Sequence, residues 1–233
     1  MARFPGFPPE AITFFRGLKR NNRRDWFQPR KQVFEDYVKT PMIALINEIN
    51  GALVKFAPDY CTEPGKAIYR FYRDTRFSKD KTPYKDHIAA SFNKRGMPRH
   101  RSAGFYFSVS AAEIEVAAGI YMPEREELLA VRNHLASRPE EFRRLLADSS
   151  LRRLMGDLQG DTLSRVPKGF ASSHPAEDLL RRKQWYHFVT LDGTLAAAPA
   201  LSRELISRFR ASLPIVEFLN AAFESRSRRV PGE

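Results

Sequence analysis

The chain has 233 residues, of which 42% are hydrophobic and 28% charged, with a formal net charge of +12. That size and balance suit a single globular domain with a substantial core and argue against wholesale disorder. One cysteine, Cys61, rules out an internal disulfide and a cysteine-based zinc centre, and no stretch approaches the roughly 20 apolar residues that cross a membrane as a helix.

In chain order, Pro9-Glu10 opens a short helix whose apolar side is Ile12, Phe14, Phe15 and Leu18, and Asn21-Asn22 breaks it. Asn22 followed by Asp25 reads as a helix N-cap with a capping-box partner. Pro29 suits the first turn of a longer helix with Val33, Phe34, Tyr37 and Val38 inward; Pro41 should kink or restart it, and Met42 to Leu53 continue the pattern to about residue 56. The texture then turns to strand. Residues 67–72 and 87–92 are β-prone, and 104–110 and 113–121 alternate, with Ala111-Ala112 as a short hairpin turn. Helical spacing returns from Pro123 through Leu135 and again after Ser137, with Phe142, Leu145 and Leu146 inward. An irregular stretch, Leu163 to Ser173, leads to a short helix starting at His174-Pro175. Trp185 to Leu191 is a further strand, and a last helix covers about 198–221 with a bend at Pro214. Helices, a block of strands, then helices describe an antiparallel sheet of about four to six strands flanked by N-terminal and C-terminal helices. The expected organisation is one domain, 1–224, and a disordered tail, 225–233. The opening residues lead into no signal-type apolar run, so the expected location is the cytoplasm.

Charge is concentrated in one place: residues 61–110 hold 11 Lys and Arg against 4 Asp and Glu. Within them, Arg70-Phe71-Tyr72-Arg73-Asp74-Thr75-Arg76 and Lys79-Asp80-Lys81-Thr82-Pro83-Tyr84-Lys85-Asp86-His87 form the densest polar run of the protein. If residues 68–72 are extended, Arg70 and Tyr72 share one face, and Tyr69 and Phe71 the other. Arginine suits an anion site because its planar fork donates two parallel hydrogen bonds and never loses its charge. The competing reading is structural: Asp74 and Asp80 can pair with Arg73, Arg76 and Lys81 and staple the loop.

The run Arg70-x-x-Arg-Asp-x-Arg-Phe-x-x-Asp-Lys-x-x-Tyr84 resembles the hallmark of a bacterial family known as domain of unknown function 2461. Asn21-Asn22 with Asp25-Trp26-Phe27 resembles further landmarks of that family, as do Pro167-Lys168-Gly169-Phe170, His174-Pro175 and Asp178-Leu179-Leu180-Arg181. The likeness runs in order over about residues 4–220, and Asp25 stands where the family pattern has Glu. The resemblance implies no particular activity, but a motif of Arg, Asp, Lys and Tyr rather than core residues implies a site.

The candidate ligand-binding residues are therefore Arg70, Arg73, Asp74, Arg76, Lys81, Tyr84, His87, Lys168 and His174. They suit a small anionic ligand bearing phosphate or carboxylate, with Tyr84, His87 or Asp74 placed for any proton transfer. The alternative is a nucleic-acid surface, in which Tyr69, Phe71, Tyr72 and Phe77 stack on bases while Lys94, Arg95, Arg99, His100 and Arg101 extend the basic stripe. No metal is expected: the histidines are scattered singly, and His174 with Asp178 makes only a two-ligand pair. No cofactor is expected either, since the chain has no dinucleotide loop, P-loop, HExxH or GxSxG element. Trp26 and Trp185 read as core.

Overall fold

The computed structural model describes residues 3–76, 78–97, 99 and 101–227. The chain forms α1 (Pro9–Arg20), α2 (Arg24–Phe27), α3 (Lys31–Val33), α4 (Thr40–Leu53) and α5 (Pro64–Ala67), then β1 (His87–Asn93), β2 (Gly104–Ser110) and β3 (Glu113–Ile120). There follow α6 (Arg125–Ser137), α7 (Pro139–Leu146), α8 (Ser149–Met155), α9 (Glu177–Leu180), β4 (Trp185–Asp192) and α10 (Ala200–Ser227). Among the described residues the strands make one antiparallel sheet in the order β1-β2-β3-β4, so the fold is α+β. No helix of the described residues is long and apolar enough to cross a membrane.

By its contacts the chain divides into two compact units. The first holds the described residues up to Phe92 with Tyr106–Val116 and Thr190–Ile206; the second holds Asn93–Phe105, Ala117–Val189 and the described residues from Ser207 onward.

In the first unit, α1 buries Ala11, Phe14, Phe15 and Leu18. Regular α-helix restarts at Thr40, with Pro41 in the first turn of α4. The preceding turn, Phe34–Lys39, widens to π-helical form, and the Thr40 N–H donates to Glu35 O. A proline has no N–H to give and crowds the carbonyl one turn back, and a widened turn relieves both problems. The inward residues Val38, Met42, Leu45, Ile46, Ile49 and Leu53 stay buried throughout. Phe14, Phe27, Phe34 and Phe71 gather with Tyr84 into an aromatic cluster, with centroids 4.3 Å apart for Phe34–Phe71 and for Phe27–Tyr84. The β2–β3 turn at Ala111-Ala112 owes its form to Ser110, whose hydroxyl accepts from the N–H groups of Ala112 and Glu113. That local acceptor explains a tight hairpin without the usual turn residues.

The expected strand at 67–72 is a correction. α5 takes Ala67, and the rest pairs only through isolated bridges, Ile68 with Ala90 and Tyr72 with Tyr84. Pro83 can accept from Arg73 N–H (2.9 Å) but offers no N–H in return, which cuts the ladder short.

In the second unit, α6 starts at Arg125 with Glu124 as its cap residue, two positions beyond Pro123. α8 has no counterpart in the sequence reading; the Asp148 carboxylate caps it by accepting from Leu151 N–H at 2.8 Å. Phe142 is buried, while Leu145 and Leu146 are half-buried. The short helix begins at Glu177 rather than at His174. Gly119, at φ 128°, brings β3 against β4 so closely that a Cβ would lie 2.3 Å from Trp185 O. Trp185 is fully buried and its indole N–H donates to Leu179 O. α10 runs unbroken through Pro214, and Asn220 exchanges two hydrogen bonds with the backbone of Ala103. Residues 225–227 are helical, and 228–233 lie outside the described residues.

Candidate functional site

The charged run forms a loop hung between two extended arms of the first unit. Phe71 O accepts from Lys85 N–H at 3.0 Å, and Tyr69 N–H donates to Ala89 O at 2.9 Å, so residues 69–73 and 83–89 run antiparallel at its base. The alternation expected of residues 69–72 places Phe71 in the aromatic cluster while Arg70 and Tyr72 stay exposed. Tyr69 packs edge-on to Tyr106.

Asn22 does not cap α2. Its amide donates to Tyr84 O at 2.9 Å, and its carbonyl oxygen accepts from Tyr84 N–H at 3.1 Å. This reciprocal pair ties the end of α1 to the far arm of the loop and satisfies the Tyr84 N–H and C=O, which point away from the Tyr72 arm in their bridge. Arg23 stands at the cap position of α2 and makes no side-chain cap.

Above that base the loop is stapled by its own charges. Arg73 NH1 pairs with Asp80 and donates to the Thr82 hydroxyl, and Asp80 also accepts from Thr82 N–H at 2.9 Å. Arg76 grips Asp74 with two hydrogen bonds, from Nε at 3.0 Å and NH2 at 2.8 Å. Lys81 Nζ donates to Thr75 O at 2.9 Å. The Arg76 hydrogen bonds hold the Asp74 carboxyl down at about 2, and the Thr82 N–H, then Arg73, do the same for Asp80. Both carboxylates are therefore ionised at neutral pH.

Beside the loop lies a hollow of about 540 Å³. Its cationic wall is Lys19 from the end of α1, Arg73 and Lys85, with His87 at the start of β1; Asp74, Asp80 and Asp86 face them. His87 Nδ1 lies 3.3 Å from Asp86 Oδ1. Arg73 spends only NH1, so the other donors of its fork have no partner among the described residues, and neither does the Lys19 ammonium. Lys85 sits 5.2 Å over the Tyr69 ring. Tyr84 also lines the hollow; it is 1% exposed, burial pushes its hydroxyl pKa up, and its Oη has no hydrogen-bond partner among the described residues.

Of the nine residues singled out from the sequence, Arg73, Asp74, Tyr84 and His87 line this hollow. Arg70, Arg76 and Lys81 belong to the same loop but not to that wall. Lys168 and His174 belong to the second unit. There His174 Nδ1 accepts from Ala176 N–H at 3.0 Å ahead of α9, and Asp178 is gripped by Arg143 at 2.7 and 3.2 Å, so the two do not form a ligand pair on a helix face. Lys19, Asn22, Lys85 and Asp86 also line it but were not among the candidate ligand-binding residues. The last two adjoin the motif, whereas Lys19 could have been found only as the cation one turn before Asn22.

Fold and loop together define an α+β protein that carries a charge-stapled loop beside a mixed acidic and basic hollow. A family model described as conserved hypothetical protein (DUF2461) matches residues 10–218, and the chain belongs to that family. None of the curated proteins compared with it matches.

Proposed function

We propose that the hollow in the first unit binds a small anionic ligand, bearing phosphate or carboxylate, between Lys19, Arg73 and Lys85. The observation that carries this reading is that Arg73, though bridged to Asp80, keeps the rest of its fork unused in a wall shared with an unpaired Lys19. Asp80 then acts as the holder that fixes Arg73 in one rotamer, which lowers the entropy lost on binding. The three carboxylates make the hollow nearly neutral, so the ligand suited to it is anionic at one end and presents hydrogen-bond donors toward Asp86 and His87 at the other. Proton abstraction by Tyr84 does not fit, because burial keeps its hydroxyl protonated at neutral pH.

The nucleic-acid reading has less support. Lys94 pairs with Glu217 and Arg101 with Glu124 and Glu127, so charges meant for phosphates are engaged within the second unit. Of the supposed stacking residues, Phe71 is buried, Tyr69 packs on Tyr106 and Tyr72 alone is exposed among those described; Phe77, and His100 of the basic stripe, lie outside the described residues.

The test is calorimetric titration with inorganic phosphate, a sugar phosphate and a dicarboxylate, preceded by mass spectrometry of ligands carried through native purification. Lys19→Ala should weaken binding roughly tenfold or more, the worth of one charge-assisted hydrogen bond. Lys94→Ala should leave it unchanged, and added salt should reduce it only mildly. Affinity that ignores Lys19 and Arg73, or that collapses with salt as a many-phosphate contact does, overturns the proposal.

A further inference from the structure

The second unit contains a separate hollow of about 380 Å³, walled by α7, the end of α8, α9 and β4. Its polar lining is Arg143, Arg152, Asp157, Asp178, Arg182 and His187. Arg143 is committed to Asp178 and to Pro175 O. The side chain of Arg152 makes no hydrogen bond or ion pair among the described residues, and that of Arg182 makes only a long 3.5 Å bond to Gly160 O. The hollow thus holds two guanidiniums with no ion-paired carboxylate among the described residues, Asp178 acting on Arg182 only at longer range.

His187 supplies the second observation. It is 1% exposed, and its Nδ1 lies 3.1 Å from Gly156 O. A carbonyl can only accept, so Nδ1 carries the hydrogen; burial disfavours the charged ring, which leaves Nε2 as a bare lone pair. That Nε2 is buried and has no partner among the described residues. A buried acceptor left unpaired is costly, and a ligand donor removes the cost.

We propose that this hollow is a binding site for a small oxyanion that also carries a hydroxyl, held by Arg152 and Arg182 and donating its O–H to Nε2 of His187. A hydroxycarboxylate and a singly protonated phosphate share this chemistry. Nε2 is closed to solvent, so the ligand reaches it as the long side chains of the wall swing onto the anion, a local adjustment of the induced-fit kind. The site lies wholly in the second unit and is independent of the hollow by Lys19.

The test is nitrogen-15 NMR of the imidazole rings in the full chain, titrated with glycolate, with inorganic phosphate and, as the control without a hydroxyl, with acetate. The expected result is that glycolate or phosphate moves the Nε2 signal of His187 while acetate does not, the responding anion fixing which source of the chemistry the site takes. Arg152→Ala, which removes an exposed side chain without a partner and so spares the fold, should weaken that response at least tenfold, and Lys19→Ala should leave it intact. An Nε2 signal that stays still with both hydroxylated anions, that moves equally with acetate, or that responds undiminished in Arg152→Ala overturns the proposal.

Discussion

Asn22 and Tyr84 show how single residues position the loop. The two exchange backbone and side-chain hydrogen bonds across 62 positions of chain, while the Tyr84 ring sits 4.3 Å from Phe27. Only the ring and the backbone of Tyr84 are used; the buried Oη is unpaired. An unpaired buried hydroxyl costs stability, so Tyr84→Phe should be neutral or stabilising by up to about 1 kcal/mol in urea denaturation. A loss of more than that would mean that Oη has a partner in solution. At this scale the motif itself was legible, since arginines, aspartates and a tyrosine at fixed spacing announce themselves. The assignment of each charge was not. Asp74 and Asp80 each stand within reach of several cations by sequence, and only the folded loop selects Arg76 for one and Arg73 for the other. His187 was missed because its partners come from distant segments, although its spacing of two from Trp185 on a strand puts a polar ring on a core face.

At the scale of elements, α1 and α2 meet through a missing side chain. Gly17 lies in mid-helix, where glycine is unfavourable relative to alanine by about 1 kcal/mol. It is kept there by contact with Trp26, because a Cβ at position 17 would lie 2.7 Å from Cζ2 of that ring. The indole is half-buried rather than core, with Arg30 stacked 4.5 Å above its centroid and Phe14 at 5.8 Å. Gly17→Ala should therefore destabilise the protein in spite of better helix propensity, and should shift the tryptophan emission. In a Trp26→Ala background the same change should stabilise by about 0.5–1 kcal/mol. A Gly17→Ala chain that is more stable with Trp26 in place would sink this account. The longer helices and the regular strands were readable from their periods of 3.6 and 2, because each buries one face, whereas the short α5 and α8 were not. The segment at 67–72 has the right residues for a strand, but pairing is a property of the partner too, and Pro83 denies it a ladder.

Over the whole molecule, acid acts through a small number of named groups against a background of 39 Lys and Arg to 27 Asp and Glu. His187 is held below its ordinary value first by burial, with Arg182 adding to the shift and Gly156 O and Asp157 opposing it; burial, then Arg138, does the same for His134 against Glu141. A histidine whose folded pKa is depressed contributes stability that is complete above the unfolded value of about 6.5 and is lost as pH falls through the folded one. Each can contribute a slope of up to about 1.4 kcal/mol per pH unit in that window. Asp74 and Asp80, both at about 2, act later: their share is complete above the ordinary carboxylate range and disappears only as pH falls toward 2. Protonation of the remaining acids meanwhile leaves the cations unopposed, and self-repulsion adds to the loss. Urea denaturation followed from pH 8 to pH 2 should show a plateau down to about 7, a first decline below about 6.5 and a second below about 4. His187→Gln should shallow the first decline and leave the second in place. Stability that holds level or rises between pH 7 and 5 would show that neither histidine is buried neutral, and with it the bare Nε2 on which the second hollow depends would be lost.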